Sequence, residues 1–327
     1  MKALKSFIIF LFITTLQPAI GNECGGCLGD PLYSYQKPCG FYVELTGAWV
    51  VPSETGLGTF TDSWEYQNSD GSTTALSKPS KADYKGAWGI KLGYDFNCSA
   101  SNVEIEYFHL HNSKHNFNDT SDNPIGFGSA FFNLYVPINP EDIFISDADL
   151  DYTLDKVDVT FGHWFATDRC KLLIHPSVGL RYINLEHDLT FLIGHVRSCY
   201  HGIGPMIGLD GEYKLCGGFS FTSRFDASVL MGSVKADSRL AFAATNLYES
   251  PSTDRIVYTF GGSLGVAYDW CICNNSALRL ELGYTVENYI GPFDIITAYT
   301  DPEPRIEKLL TTNFGYSGPF ISLRWHL

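Results

Sequence analysis

From Arg255 to Trp270 the chain alternates strictly. Ile256, Tyr258, Phe260, Leu264, Val266, Tyr268 and Trp270 fall on one face with Gly262, while Val257, Thr259, Gly261, Ser263, Gly265, Ala267 and Asp269 fall on the other. The last fifteen residues, Asn313 to Leu327, repeat the pattern, with Ile321, Leu323, Trp325 and Leu327 opposite Ser322, Arg324 and His326. A period of two means a strand, because successive side chains of extended backbone point to opposite sides. Runs of about ten or more residues, aromatic at the ends and rich in glycine on the reverse, read as strands of a transmembrane barrel. A strand of a water-soluble sandwich is usually about five or six residues long.

The same alternation recurs along the chain. A first strand is predicted from about Phe41 to Val51, followed by a Ser/Thr/Gly/Asp-rich loop to Lys85. Trp88, Ile90, Leu92, Tyr94 and Phe96 then alternate with Gly89, Lys91, Gly93 and Asp95, and after a polar turn at 97–101 the chain returns with Val103, Ile105 and Tyr107 opposite Glu104 and Glu106. A second long loop, 112–150, contains Pro124, Pro137 and Pro140, with a short hairpin or helix expected around Phe127 to Tyr135. Further strands carry Val157, Val159 and Phe161; Ile174 to Tyr182; Ile203 to Leu209; Phe219 to Met231; and Leu278 to Val286. External loops are expected near Ser233 to Asp254 and Gly291 to Thr312. The count is about ten, an even number, with long and short connections alternating. The predicted fold is therefore all-β: a transmembrane antiparallel up-and-down β-barrel of about 10 strands, with long external loops and short periplasmic turns.

Composition agrees. The chain opens Met-Lys-Ala-Leu-Lys, runs apolar from Phe7 to Thr15 and offers Ala19-Ile20-Gly21 as a cleavage site, so residues 1–21 read as a signal peptide. Residues 22–40 then form a cysteine-bearing periplasmic segment and 41–327 the barrel. Beyond the signal peptide no apolar run approaches the roughly 20 residues of a membrane helix. Loss of Lys2 and Lys5 leaves 20 basic against 36 acidic residues, a formal charge of −16. That balance argues against nucleic acid as a partner, since phosphate contacts need clustered Lys and Arg. Aromatic residues make up 15% of the chain, as interfacial girdles require.

The charges Lys91, Glu104, Glu106, Asp158, Arg181, Asp210, Arg224, Asp226, Arg279, Glu281 and Arg324 all share the glycine and serine face. A charge facing lipid at mid-bilayer costs about 2–4 kcal/mol for Arg or Lys, so these residues are expected to line a wet lumen. Closing the sheet also removes strand edges that lipid cannot satisfy.

Phe161-Gly162, Pro176-Ser177-Val178-Gly179-Leu180-Arg181-Tyr182, Gly204-Pro205, Gly208-Leu209-Asp210-Gly211, Leu282-Gly283-Tyr284 and Gly318-Pro319-Phe320 occur in this order. With them the chain resembles the Legionella-type major outer membrane protein family, which includes similar proteins of chlamydia-related bacteria. The resemblance is best from about Asp151 to the C-terminus. It implies an outer-membrane barrel that acts as a porin and surface protein, embedded in outer-membrane lipid. Leu327 departs from the terminal Phe common among such barrels.

Nine cysteines in an exported chain point to an oxidising compartment. Cys98, Cys170, Cys216, Cys271 and Cys273 fall in or beside the short turns and Cys24, Cys27 and Cys39 precede the first strand, whereas Cys199 enters a strand from an external loop. The first eight are candidates for disulfides between turns, or to other cysteine-rich envelope proteins or another copy of the chain, as the resemblance also implies. The alternative is free thiols or local bonds, and the odd total leaves at least one thiol outside any intrachain pair. His109, His111 and His115 could share a metal, and Asp147 to Asp151 resembles half a calcium loop; interfacial histidines and a solvated acidic loop are the preferred readings. No cofactor or metal is expected. His163, His187 and Ser177 show no nucleophile motif, and no catalytic residue is expected. Two functions remain in view: a channel for small polar solutes that is also a cysteine-linked part of the envelope, and an adhesin that meets a host-cell surface through its external loops.

Overall fold

The computed structural model describes residues 33–34, 40–55, 61–67, 73–79, 83–96, 100–114, 124–129, 134–137, 148–167, 171–191, 194–215, 217–240, 247–249, 252–273, 276–299 and 305–327. The expected signal peptide, 1–21, and most of the segment 22–40 lie outside them. Ten strands form the barrel: β1 (Gly40–Thr55), β2 (Lys85–Asp95), β3 (Ser101–Lys114), β4 (Ala148–His163), β5 (Leu172–Phe191), β6 (Gly194–Lys214), β7 (Phe219–Leu240), β8 (Thr253–Cys273), β9 (Ser276–Tyr299) and β10 (Arg305–His326). Each pairs antiparallel with the next in sequence, and β10 pairs with β1 from Asn313↔Thr55 to His326↔Tyr42, which closes the cylinder. The fold class is as the alternation predicts: a closed antiparallel barrel with no helix among the described residues.

The outer face of the lower barrel is apolar. Leu45, Leu92, Ile105, Leu180, Ile207, Phe225, Leu264, Leu282 and Leu323 all project from the wall, Leu264 with 70% of its surface uncovered. Aromatic side chains bound this band. Trp49, Trp88, Tyr107, Tyr182, Tyr258 and Tyr284 stand at the edge nearer the loops, and Phe41, Tyr94, Phe161, Phe219 and Trp325 at the edge nearer the turns. Tyr268 is a local exception: it shares the apolar face but is 8% exposed, because Phe219 and Trp270 pack against it at 4.7 and 4.5 Å.

The strands are taller than the membrane. At about 3.3 Å per residue the 22 residues of β7 or β10 span roughly 70 Å along the strand, or roughly 55 Å of height after tilting, against an apolar band of about 25 Å. The extra height corrects the loop expectations. The chain between Tyr182 and Ile203 belongs to one hairpin whose ladder runs up to Phe191↔Gly194, so Cys199 sits inside β6 and not at its entry from a loop. The expected loop 233–254 is mostly strand as well, with Leu247–Glu249 pairing back onto β7. Likewise Phe293–Tyr299 and Arg305–Thr312, within the expected loop, pair as a two-stranded ribbon.

The reason is a change of phase. On β5, Arg181 and Gly179 face inward and Val178, Leu180 and Tyr182 outward; above Tyr182 the inward residues are Ile183, Leu185 and His187, the outward ones Asn184, Glu186 and Asp188. On β4 the inward set changes from Asp158 and Lys156 to Leu154, Tyr152 and Leu150, with Asp155, Thr153 and Asp151 outward. Side-chain direction never changes; hydrophobicity does. Below the change the solvent outside is lipid and above it water, so the same wall is apolar-out and then apolar-in. The upper interior is a hydrophobic core that includes Leu110, Tyr152, Leu154, Leu185, Tyr200, Leu230, Val257, Tyr289 and Phe314.

Two smaller features complete the description. Thr61–Gln67, Thr73–Pro79, Pro124–Ser129 and Leu134–Pro137 form a separate four-stranded antiparallel sheet from the first two long connections, so the segment around Phe127 to Tyr135 is a hairpin rather than a helix. Tyr33–Ser34 pairs with Phe165 and Ala166 beside the β4–β5 turn.

Candidate functional site in the barrel interior

All eleven charged residues singled out from the alternation have their side chains on the inner wall, where the lower barrel holds a chamber of about 110 Å³ and a smaller one of about 40 Å³ nearer the turns. Lys91, Glu104, Glu106, Asp158, Arg181, Asp210, Arg224, Asp226 and Glu281 line the larger chamber, and Arg279 and Arg324 the smaller. They are not isolated charges in open water, as the wet-lumen expectation had them. Burying a charge is expensive unless it is paired, and the wall supplies partners on neighbouring and facing strands.

Arg181 on β5 is the hub. Its Nε and Nη2 donate to the two carboxylate oxygens of Asp158 at 2.8 and 2.7 Å, and Nη1 lies 2.7 Å from Asp226 Oδ2, 3.0 Å from Thr259 Oγ1 and 3.4 Å from Glu287 Oε1. Lys156 on β4 donates to Glu287 Oε2 at 2.7 Å. Strands β4 and β9 are five places apart in a ring of ten, so this ion pair crosses the full diameter of the barrel. Tyr289 donates to Glu287 Oε1 at 2.7 Å, and Tyr316, which also donates to Glu287, stacks on Phe108 of β3 with ring centroids 5.5 Å apart.

Nearer the turns, Lys91 bridges Glu106 at 2.9 Å and Glu104 at 3.5 Å, Arg324 meets Glu44 at 2.6 Å, Arg224 meets Asp210 at 3.2 Å, and Thr222 donates to Glu281 at 2.8 Å. Arg279 on β9 reaches Glu212 on β6 at 2.9 Å. His175 contacts Asp210 through Nδ1 at 3.1 Å and Asn102 through Nε2 at 2.8 Å, and Trp164 stacks on its ring at 4.3 Å. Trp164 packs with Ala100, Ala166 and Leu173 and narrows the turn end of the lumen. Tyr42, bonded to Glu104, fits over Gly93, where a Cβ would stand 2.0 Å from its ring; that position must be glycine for the tyrosine to lie flat on the wall.

Sequence reading missed Glu44, Lys156, His175 and Glu212 as interior residues. Lys156 follows Asp155 at the phase change, where two polar neighbours hide which faces inward. His175, between Ile174 and Pro176, falls on the inner face by the same alternation, but as a residue with no formal charge it was not singled out with the charged set. The other candidates separate. His109 bonds Asp155 at 2.8 Å and His111 bonds Thr153 at 3.1 Å on the outer face, and His115 lies outside the described residues. Burial raises the Asp155 carboxyl, but hydrogen bonds from Tyr107 and His109 outweigh it and hold the group below the usual carboxylate range. No group of three or more His, Cys, Asp or Glu placed to hold a metal occurs among the described residues. Ser177 and His187 stand ten residues apart on one strand, about 33 Å, and His163 bonds Ser101, so they form no catalytic set.

Cys24, Cys27, Cys39, Cys98, Cys170 and Cys216 lie outside the described residues. The backbone of Cys271 and Cys273 is at the turn end of β8. Cys199 is a free thiol on the outer face of the tall hairpin, and burial with the nearby Glu186 pushes its pKa up.

Residues 53–327 match the family described as the Legionella pneumophila major outer membrane protein precursor. The chain belongs to this family. It is an outer-membrane β-barrel, and the apolar band, the girdles and the closed wall are how a member of the family sits in its membrane. The loop end of the barrel is then the external one and the turn end periplasmic. No curated protein matches the chain. Among solved structures, this family member is similar to the outer membrane protease OmpT from Escherichia coli (10% identity, 89% of this chain and 97% of that one, TM-score 0.47). It is also similar to the Pseudomonas putida toluene transporter TodX (10%, 88% and 90%, TM-score 0.33) and to Neisserial surface protein A (11%, 88% and 97%, TM-score 0.29).

Proposed function

We propose that this outer-membrane protein is a channel for small polar solutes, favouring cations over anions, that rests closed at its external end. The observation that carries the reading is the chamber of about 110 Å³ inside the membrane-embedded half, lined by eight carboxylates against four Lys and Arg side chains. A wall built only to be rigid has no need of a chamber with a net negative lining, and such a lining concentrates cations by its field. Above it the Lys156–Glu287 crossbar and the apolar core shut the way out. The cysteines at the periplasmic end support a parallel structural role through bonds to envelope partners or to a second copy, read by non-reducing electrophoresis.

The test is conductance of the refolded protein in planar bilayers under a salt gradient. Discrete steps with a cation-selective reversal potential are expected, and Arg224→Gln strengthens that preference. Absence of steps both from the folded wild type and from folded variants that weaken its external closure overturns the channel. A second reading, an adhesin working from its external surface, draws on strands that rise far beyond the membrane and on the extra four-stranded sheet. Saturable binding to host cells by a barrel that does not conduct is the outcome that favours it.

A further inference from the structure

The upper part of β9 and β10 has left the wall. Strand β9 pairs with β8 only as far as Ile290↔Tyr258, although β8 continues to Thr253, and among the described residues β10 pairs with β1 as far as Asn313↔Thr55. Beyond those points Phe293–Tyr299 and Arg305–Thr312 pair, among the described residues, only with each other. The register skips between Tyr289↔Phe314 and Phe293↔Thr312, leaving 290–292 opposite Asn313 alone, and Gly291 takes φ +72°, a conformation that favours glycine. The Gly291 N–H donates to Asn313 Oδ1 at 2.9 Å, which pins the bend from both sides.

The ribbon bends inward. Phe293 lies 5.4 Å from the ring of His187 on β5 and 5.9 Å from Phe314, and the Asp294 N–H donates to Ser198 Oγ on β6 at 3.2 Å. Strands β5 and β6 stand four and three places from β9 around the ring, so these contacts exist only because the ribbon passes over the lumen. A two-stranded ribbon is marginally stable alone, so its position depends on what holds it. Arg255 on β8 grips the base, Nη1 pairing with Asp294 Oδ1 at 2.5 Å and donating to the Gly291 carbonyl at 3.4 Å; Thr311 adds a bond to the same Asp294 oxygen at 3.1 Å.

We propose that the ribbon Phe293–Tyr299/Arg305–Thr312 is the lid of the barrel, swinging at Gly291 and Asn313, with Phe293 as its stopper and Asp294–Arg255 as its latch. It rests on the channel reading and names where that channel opens. Upward rotation breaks one ion pair, two hydrogen bonds (Asp294 to Ser198 and Arg255 to the Gly291 carbonyl) and the Phe293 packing, and leaves every wall ladder and the Thr311–Asp294 bond within the ribbon intact. The rest of the external core stays as the lining of a wider mouth.

The experiment is single-channel recording of the full-length protein as wild type, Asp294→Asn and Phe293→Ala. Loss of a charge-assisted contact shifts a two-state equilibrium by about tenfold, so open probability is expected to rise by about that factor in each variant at unchanged selectivity. Wild type and variants with equal open probability overturn the lid and leave the channel standing. Folded variants and wild type that all fail to conduct overturn the channel and the lid with it. Hydrogen exchange on the wild type covers variants that do not fold. The ribbon amides, 293–299 and 305–312, are expected to exchange about a hundredfold faster than those of 279–287 in the wall, and equal protection overturns a hinged ribbon.

Discussion

At the scale of single residues the interior is organised by Arg181. Its side chain is 1% exposed, and it stands among Asp158, Asp226 and Glu287 with only Lys156 to share them. Removing one partner of a buried ionic network costs more than the network contributes, because the remaining charges stay buried. Arg181→Met is therefore expected to destabilise the barrel by about 3–5 kcal/mol, read from the urea midpoint in detergent micelles. A loss below about 1 kcal/mol would show that water enters and screens the three carboxylates. The residue itself was legible in the sequence, since a lone arginine between Gly179 and Ser177 on one side and an aliphatic row on the other has one place to go. Its partners were not. Glu287 and Thr259 come from strands 106 and 78 residues away, and no local pattern records which strands face each other across a ring.

At the scale of elements, the decisive feature is the phase change along β3, β4 and β5. Leu180 and Glu186 both point outward from β5, one into the apolar band and one above it. Leu180→Arg is expected to cost about 2–4 kcal/mol of folding free energy in lipid vesicles, whereas Glu186→Arg, on a water-facing surface, stays within about 0.5 kcal/mol. Equal penalties at the two positions would move the membrane boundary and undo the assignment of inside and outside. The strands within the band were readable because lipid enforces one long unbroken alternation. The upper halves were not, because the phase break at Tyr182-Ile183 and Asp155-Lys156 looks like the end of a strand. In isolation the Asn, Glu, Asp and His residues that follow have loop chemistry; as the wet face of a wall with Ile183 and Leu185 behind it, they are ordinary strand residues.

At the scale of the whole molecule, closure depends on the seam between β10 and β1. Gly318 faces inward there, and a Cβ at that position would stand 2.1 Å from the backbone oxygen of Trp49. The wall bends too tightly at this point for any side chain. Gly318→Leu is expected to prevent or weaken closure by more than about 1–3 kcal/mol, seen as loss of the compact, faster-migrating form in unheated gels. Retention of that form at wild-type abundance would show that the seam can relax.

The sequence by itself determined the class of solvent on each face of the strands within the membrane band, and from that the barrel, the approximate strand count and the inward direction of eleven charges. These are consequences of local periodicity, written in neighbouring residues. Tertiary structure alone decided the rest: which charges meet across the lumen, that the external end is an apolar core, and that the last hairpin leaves the wall and folds over the mouth. Those outcomes arise from strands brought together by ring closure, and the free energy of a contact between β4 and β9 has no trace in the order of residues along either one.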